Sequence, residues 1–199
     1  MPGYGKMNID NRPLIVLDLD NTLIFCSDSY FPDSQMSTSY GYLSIRDGAI
    51  ELIERAHKYF DLMVWSNSGP AYVDDILAMF WPTKIPLVDV FYSTNSRIKG
   101  FDGMGIPFFK DMKKVSKKHP EYPMERILGV DDIPQTYSQN YGNLITVKAF
   151  EGVQDRELFQ LADYVEKIST KENFRKVEKR YWKQGVTEKK PAKFDEFSP

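Results

Sequence analysis

Four acidic side chains stand at the ends of two apolar stretches that have the composition of buried strands. Asp18 and Asp20 follow the apolar run 14–17, and Asp131 and Asp132 end the run 126–132. Carboxylates this close repel one another unless a proton, a cation or hydrogen-bond donors separate them. These acidic residues could end the strands by chance, with no function. Carboxylate oxygens are, however, also the ligands that Mg²⁺ prefers. The spacing therefore favours a metal or catalytic site.

Two further polar side chains fall where the same site would need them. Ser66 lies near the end of the apolar run 62–67, and Lys110 opens a segment with a helical pattern. In open parallel sheets, ligands bind beyond the carboxyl ends of the strands, so these groups can converge. A lysine and a hydroxyl beside a metal ion suit a bound phosphate.

The elements that would position these residues alternate along the chain. Strands are predicted at 14–20, 62–67, 87–92, 126–132 and 143–149. Helices are predicted at 48–59, 71–80, 109–119 and 155–168, the last with Asp155 as its N-cap. Strands that alternate with helices predict an α/β domain with a central, mostly parallel sheet and helices on both faces.

Two segments do not follow this alternation. Residues 27–45 are polar and aromatic, and they predict a loop or small hairpin inserted after the first strand. The insert carries four aromatic residues that could either stack on a substrate or anchor the insert, namely Tyr30, Phe31, Tyr40 and Tyr42. Residues 170–199 are predicted to form a basic helix followed by a tail, which leaves residues 1–169 as the main domain.

Composition narrows the class of protein. The chain has 199 residues, of which 42% are hydrophobic, and this suits one domain with its own core. The net charge of −2 gives no basic field, which argues against nucleic acid as a partner without excluding it. Cys26 is the single cysteine, so no intramolecular disulfide is expected. With no signal-peptide or membrane-span pattern, we expect a cytoplasmic or nuclear protein that is neither secreted nor bound to a membrane.

The stretch "DLDNT" at residues 18–22 matches the D-x-D-x-T signature of haloacid dehalogenase-like (HAD) phosphohydrolases. The order Asp-x-Asp, Ser, Lys, Asp-Asp is similar to that superfamily's four motifs. From Pro13 to Ile168 the chain resembles the FCP/SCP group, the NLI-interacting-factor-like phosphatases that act on the RNA polymerase II C-terminal domain and other phosphoproteins. The resemblance implies a Rossmann-like, three-layer fold with no large cap domain.

The same resemblance implies a role for each motif residue. Asp18 would be the nucleophile that forms an aspartyl phosphate. Asp20 would protonate the leaving oxygen and later take a proton from water. Lys110 would offset charge on Asp18 and the phosphoryl group.

The resemblance also implies the groups that hold the phosphate and the metal. Ser66, Asn67, Lys110 and Thr22 would bind or border the phosphate, and Thr22 would also shape the loop after the strand. Mg²⁺ would be held by Asp18, the backbone carbonyl of Asp20 and Asp131, with Asp132 beside it through water.

The expected function is thus Mg²⁺-dependent phosphomonoester hydrolysis, with a phosphoprotein as the substrate. Two departures from the group bear on the substrate: its Thr-Ala-Ser motif reads "WSNS" at residues 65–68, and its Asp-Asn pair is Asp131-Asp132. A nucleotide or polynucleotide-end phosphatase of the same superfamily is the nearest alternative. A receiver-like module phosphorylated on aspartate and a non-catalytic phospho-binding domain are the alternatives from other classes.

Overall fold

A computed structural model describes residues 12–98 and 108–185, and the backbone of 187–188. The described strands, in chain order, are β1 (Leu14–Leu17), β2 (Ile24–Ser27), β3 (Met36–Thr38), β4 (Gly41–Ile45), β5 (Asp61–Trp65), β6 (Leu87–Phe91), β7 (Arg97–Ile98), β8 (Phe108–Phe109), β9 (Ile127–Asp131), β10 (Leu144–Thr146), β11 (Val177–Glu178) and β12 (Thr187–Glu188).

The helices of the described residues are of two kinds. The α-helices are α1 (Ala49–His57), α2 (Pro70–Phe80), α3 (Met112–Lys118) and α4 (Glu157–Ile168). The short 3₁₀ helices are Ser93–Asn95, Met124–Arg126, Pro134–Tyr137, Tyr141–Asn143, Phe174–Lys176 and Trp182–Gln184.

The centre of the molecule is a five-stranded sheet in the order β10-β9-β1-β5-β6. Every neighbouring pair in this sheet is parallel, which confirms the α/β class and the five predicted strands. β1 lies in the middle, between β5 and β9, so its carboxyl end adjoins the carboxyl ends of both neighbours. This arrangement places the predicted site beyond the carboxyl ends of the three central strands.

Alternate residues of β1 enter two separate cores. Ile15 and Leu17 belong to the larger core, which also contains apolar residues of α1, α2 and α4. Leu14 and Val16 belong to the smaller core, with Met112 and other residues on the opposite face. All four β1 side chains are fully buried because helices cover both faces of the sheet. The predicted three-layer architecture is therefore present.

The segment after β1 is more regular than predicted. The predicted small hairpin is present as β3 and β4, and β2 pairs with β4 to complete an antiparallel sheet in the order β2-β4-β3. Tyr40 anchors this insert, since its ring packs edge-on against Tyr72 of α2 at 5.0 Å and its hydroxyl donates to Asp75. Phe31 likewise packs on Phe25, at 5.1 Å. The described residues contain no large cap domain, as the resemblance implies.

Three local predictions need correction. The helix predicted at 109–119 begins only at Met112, because Phe108–Phe109 forms a strand and Asp111 is the N-cap. Asp155 is not the N-cap of α4; Arg156 is, although the Asp155 carboxylate accepts from the Glu157 backbone amide. The helix predicted at the start of 170–199 is replaced by 3₁₀ turns and the short strand β11.

No helix in the described part of the chain is both long enough and apolar enough to cross a bilayer.

Candidate active site

A buried lysine joins the ends of two strands that are far apart in sequence. The ammonium group of Lys110 lies 2.5 Å from Asp18 Oδ1, just after β1, and 2.6 Å from Asp131 Oδ2, at the end of β9. The three residues are 1–6% exposed. Burial lowers the pKa of Lys110, but the charges of Asp131 and Asp18 outweigh it and hold this pKa above its ordinary value. Lys110 is therefore a cation within a carboxylate pair.

The same corner has the oxygen groups of a divalent-metal site. Asp18, Asp131 and Asp132 each offer a carboxylate oxygen, and these oxygens lie within 4.8 Å of one another. Burial, followed by the charge of Asp131, raises the pKa of Asp132 to about 6. With Lys110 as the cation beside three carboxylates, two negative charges remain when all are ionised, and a divalent cation would balance them. The donor set fits Mg²⁺, which favours hard oxygen ligands.

The turn after β1 is fixed by two residues of the "DLDNT" stretch. Thr22 is fully buried, and its hydroxyl donates to Asp18 Oδ2 at 3.0 Å and lies 3.4 Å from Asp132 Oδ1. Asn21 adopts a left-handed conformation, with φ of 58°, which asparagine tolerates better than most residues. Its backbone and side chain both bond to the backbone of Phe150. The bonds of Asn21 fix the turn, and the hydroxyl of Thr22 orients the carboxylate of Asp18.

Asp20 faces a different set of groups from Asp18. β1 ends at Leu17, before the predicted strand end at residue 20, so both aspartates lie beyond the strand. Asp20 Oδ1 accepts from the Tyr72 hydroxyl at 2.5 Å, while Oδ2 accepts from Ser66 at 3.1 Å and Ser68 at 3.0 Å. Burial, with the nearby charge of Asp20, raises the pKa of Tyr72, so this hydroxyl stays protonated and able to donate.

Ser66 and Asn67 follow β5, which lies next to β1. Ser66 is fully buried, and its hydroxyl donates to Asp20, two residues after Asp18. The structure therefore brings Ser66 to the predicted site. The side-chain oxygen of Asn67 accepts instead from Ser96 at 2.6 Å, a contact that turns this oxygen toward the segment after β6. The phosphate contacts expected of these two residues and of Thr22 remain predictions.

Lys110 is placed by the segment that follows β9 rather than by a helix. Its backbone amide donates to the carbonyl of Thr136 at 2.8 Å, and Asn140 donates to its carbonyl at 3.3 Å. Asp131 Oδ1 accepts from the backbone amide of Ile133 at 2.8 Å, which orients the other carboxylate oxygen toward Lys110. The turn at residues 133–136 thus positions both Lys110 and Asp131.

Sequence reasoning missed three residues of the site. Ser68 and Tyr72 carry two of the three hydroxyls on Asp20, and Arg46 supports the turn that holds Thr22. Arg46 is 1% exposed, donates to the carbonyl of Thr22 at 3.1 Å and pairs with both oxygens of Asp155. Ser68 stands two residues after Ser66 in the motif "WSNS", which was an available signal. Tyr72 and Arg46 had none, because only tertiary packing brings them to the site.

The family model described as NLI interacting factor-like phosphatase matches residues 13–175. The chain is 22% identical over 187 residues to the ubiquitin-like domain-containing CTD phosphatase 1 of Danio rerio, covering 89% of this chain and 56% of that protein. It is 23% identical over 185 residues to phosphatase PSR1 of Saccharomyces cerevisiae, covering 85% and 41% respectively. The chain thus spans about half the length of these relatives.

Solved structures show the same fold at low sequence identity. The fission yeast RNA polymerase II CTD phosphatase Fcp1, bound to beryllium fluoride, superposes with a TM-score of 0.55 at 16% identity, over 82% of this chain and 47% of that one. A HAD-superfamily hydrolase from Ehrlichia chaffeensis gives a TM-score of 0.51 at 13% identity, over 79% and 98%. At these identities the likeness concerns the fold alone.

Proposed function

Because the chain belongs to the NLI interacting factor-like phosphatase family, a family of phosphoric monoester hydrolases, we propose that it removes phosphoryl groups from phosphoproteins. The proposed reaction is Mg²⁺-dependent and passes through a phosphoaspartate on Asp18. The observation that carries the proposal is the buried ammonium group of Lys110 between Asp18 and Asp131, with Asp132 close by. Phosphoryl transfer depends chiefly on positioning and on neutralising charge, and this cluster offers both.

In the first half of the proposed reaction, a carboxylate oxygen of Asp18 bonds to phosphorus while the bond to the leaving oxygen breaks. The electron pair of that bond stays on the leaving oxygen, which takes a proton from Asp20. Lys110 holds Asp18 and stabilises the negative charge of the phosphoryl oxygens. When held by Asp18, the backbone carbonyl of Asp20 and Asp131, with Asp132 beside it, Mg²⁺ would supply further charge neutralisation.

In the second half, water replaces the aspartyl oxygen. The water oxygen bonds to phosphorus, the bond from Asp18 to phosphorus breaks, and Asp20 accepts a proton from the water. Inorganic phosphate leaves, and both carboxyl groups return to their starting states. Asp20 therefore needs to face the leaving oxygen first and the water afterwards.

The choice of a phosphoprotein rests on two observations. The curated relatives described above are named as CTD phosphatases or phosphatases. The insert formed by β2, β3 and β4 is small. The described residues contain no large cap that would exclude a protein substrate and admit only small metabolites. The predicted compartment, cytoplasm or nucleus, stays a prediction.

Substrate profiling with Mg²⁺ tests this function. We expect turnover of phosphoserine or phosphothreonine peptides above that of nucleotides and sugar phosphates, and loss of activity with EDTA. Asp18→Asn should abolish turnover of every ester, because an amide oxygen is a poor nucleophile. Asp163→Asn, a change at an exposed carboxylate of α4 whose side chain is 58% exposed, is the control. Preference for nucleotides or polynucleotide ends would replace the phosphoprotein with the alternative substrate, and full activity in the Asp18 variant would refute the mechanism.

A further inference from the structure

The strongest feature outside the motif residues is the arrangement of hydroxyls around Asp20. A carboxylate that accepts on both oxygens has a fixed plane, and Asp20 accepts from Tyr72 on Oδ1 and from Ser66 and Ser68 on Oδ2. If Ser66 turns to a phosphoryl oxygen, as the sequence resemblance predicts, it gives up its bond to Asp20. Ser68 and Tyr72 then remain, one on each oxygen. They are sufficient to keep the plane of the carboxyl group fixed.

Tyr72 is itself held from two sides. It lies on the first turn of α2, whose N-cap is Gly69, directly after the loop that follows β5. The ring of Tyr40 packs edge-on against it at 5.0 Å, and the Tyr40 hydroxyl donates to Asp75 on the same helix. The insert after β1 thus closes over the Tyr72 ring. A side chain supported in this way can fix the orientation of its partner.

We propose that Tyr72, assisted by Ser68, is a positioning residue that orients the carboxyl group of Asp20 toward the leaving oxygen. This proposal rests on the proposed phosphatase function. The proton moves from Asp20 to the leaving oxygen as the phosphorus–oxygen bond breaks, and Tyr72 and Ser68 keep their own protons throughout. The insert contributes indirectly, because Tyr40 supports the ring that makes the contact.

The proposal predicts a dependence on the leaving group. An alkoxide such as the serine side chain needs a proton as it leaves, whereas 2,4-dinitrophenolate leaves readily without one. A misplaced Asp20 should therefore slow the hydrolysis of an alkyl ester much more than that of the dinitrophenyl ester. A change that merely weakened the fold or phosphate binding would slow both.

The test compares kcat/KM, which reports the steps up to release of the alcohol, for 2,4-dinitrophenyl phosphate and the phosphopeptide, or another alkyl phosphate that the wild type hydrolyses. Tyr72→Phe should lower kcat/KM about tenfold for the alkyl ester, the order expected for one hydrogen bond to the negative charge that Asp20 gains as it gives up its proton. The loss for the dinitrophenyl ester should stay below about twofold. Ser68→Ala should show the same pattern with a smaller loss, and inhibition by inorganic phosphate should be unchanged in both variants.

Tyr59→Phe is the matched control, because the Tyr59 hydroxyl donates to Glu166 at 2.9 Å, away from the site. It should behave as the wild type with both esters. Equal losses with the two esters in Tyr72→Phe, no loss at all, or a weaker inhibition by phosphate would overturn the positioning role while leaving the phosphatase function intact. A wild type that hydrolyses neither ester would instead overturn the proposed function, and the positioning role with it.

Discussion

Lys110 shows how a single side chain can make an acidic site compatible with a folded core. Its ammonium group contacts Asp18 and Asp131, and all three residues are almost fully buried. Burial raises the pKa of Asp18, although Lys110 opposes that rise, and the carboxylate of Asp131 adds to it. Without the lysine, two carboxyl groups would have to share this corner without a permanent counter-charge. Lys110 is therefore expected to serve both catalysis and stability.

Lys110→Met tests both roles. We expect phosphatase activity to fall at least about a hundredfold, because charge stabilisation of the phosphoryl group is lost. The free energy of unfolding should fall by about 3 kcal/mol near neutral pH, since removing one partner leaves buried carboxylates uncompensated. Added Mg²⁺ should restore more stability in the variant than in the wild type, because the three carboxylates then bind it without a competing cation. Urea unfolding with and without Mg²⁺ measures this.

Lys117→Met is the control for this experiment, since Lys117 lies on α3 and is exposed. It should leave activity unchanged and alter stability by less than about 0.5 kcal/mol. An active, equally stable Lys110→Met protein would contradict the importance assigned to the ion pair.

At the scale of the elements, the sequence predicted most of what assembles the site. The apolar runs ending near Asp18, Ser66 and Asp131 are indeed the parallel strands β1, β5 and β9, because continuous apolar composition reports burial on both faces. The contacts between elements could not be predicted in the same way. Tyr72 and Arg46 reach the site through the packing of α2 and through the approach of β4 to α4, and no local spacing encodes either.

The segments that the sequence misjudged share a physical reason. At 170–182 the charged and aromatic residues favour a helix, yet Phe174 and Trp182 are buried in the larger core and the backbone around them forms short 3₁₀ turns. At 109–111 the chain is extended, since pairing of β8 with β7 and the N-cap at Asp111 delay the start of α3. In both places tertiary contacts override the local preference.

The ion pair between Arg46 and Asp155 joins the end of the insert to the start of α4. Both oxygens of Asp155 accept from Arg46, at 3.0 and 2.7 Å, and Arg46 also holds the Thr22 carbonyl. Burial raises the pKa of Asp155, but the hydrogen bonds from Arg46 outweigh it, and the pKa lies below its ordinary value. The pair therefore stabilises the fold whenever Asp155 is ionised.

Asp155→Asn should lower the free energy of unfolding by about 2 kcal/mol at pH 7, since Arg46 loses a charged, two-oxygen partner. The sign with pH follows from the depressed pKa. The stabilisation is complete above the ordinary value of about 4 and is lost as pH falls through the lower folded value. The gap between wild type and variant should thus shrink below about pH 4. Urea unfolding of both proteins from pH 7 to pH 3 measures the gap.

Asp163→Asn is the control for this pH series, since Asp163 pairs with Arg55 on the surface and its side chain is 58% exposed. It should cost less than about 1 kcal/mol at any pH. A gap for Asp155→Asn that stays constant down to pH 3 would contradict the assigned ion pair.

At the scale of the whole molecule, part of the predicted C-terminal segment packs into the larger core. The division into 1–169 and 170–199 stays a prediction. Two aromatic residues that follow residue 169 are nevertheless buried in the larger core. Phe174 stacks on Phe60 at 5.8 Å, and Trp182 donates its indole N–H to the carbonyl of Thr146 at 2.9 Å. These contacts tie the segment 174–182 to strand β10 and to the residue that precedes β5.

Trp182→Ala should therefore destabilise the whole molecule. Trp182 is 4% exposed and lies 5.9 Å from the ring of Tyr164, so its removal leaves a large cavity beside α4. We expect a loss of about 3 kcal/mol in the free energy of unfolding. Tyr181→Ala, at a side chain that is mostly exposed, should cost less than about 1 kcal/mol. A chain that ends at residue 185 should melt well above one that ends at 169; equal melting temperatures would instead place the boundary of the body at 169.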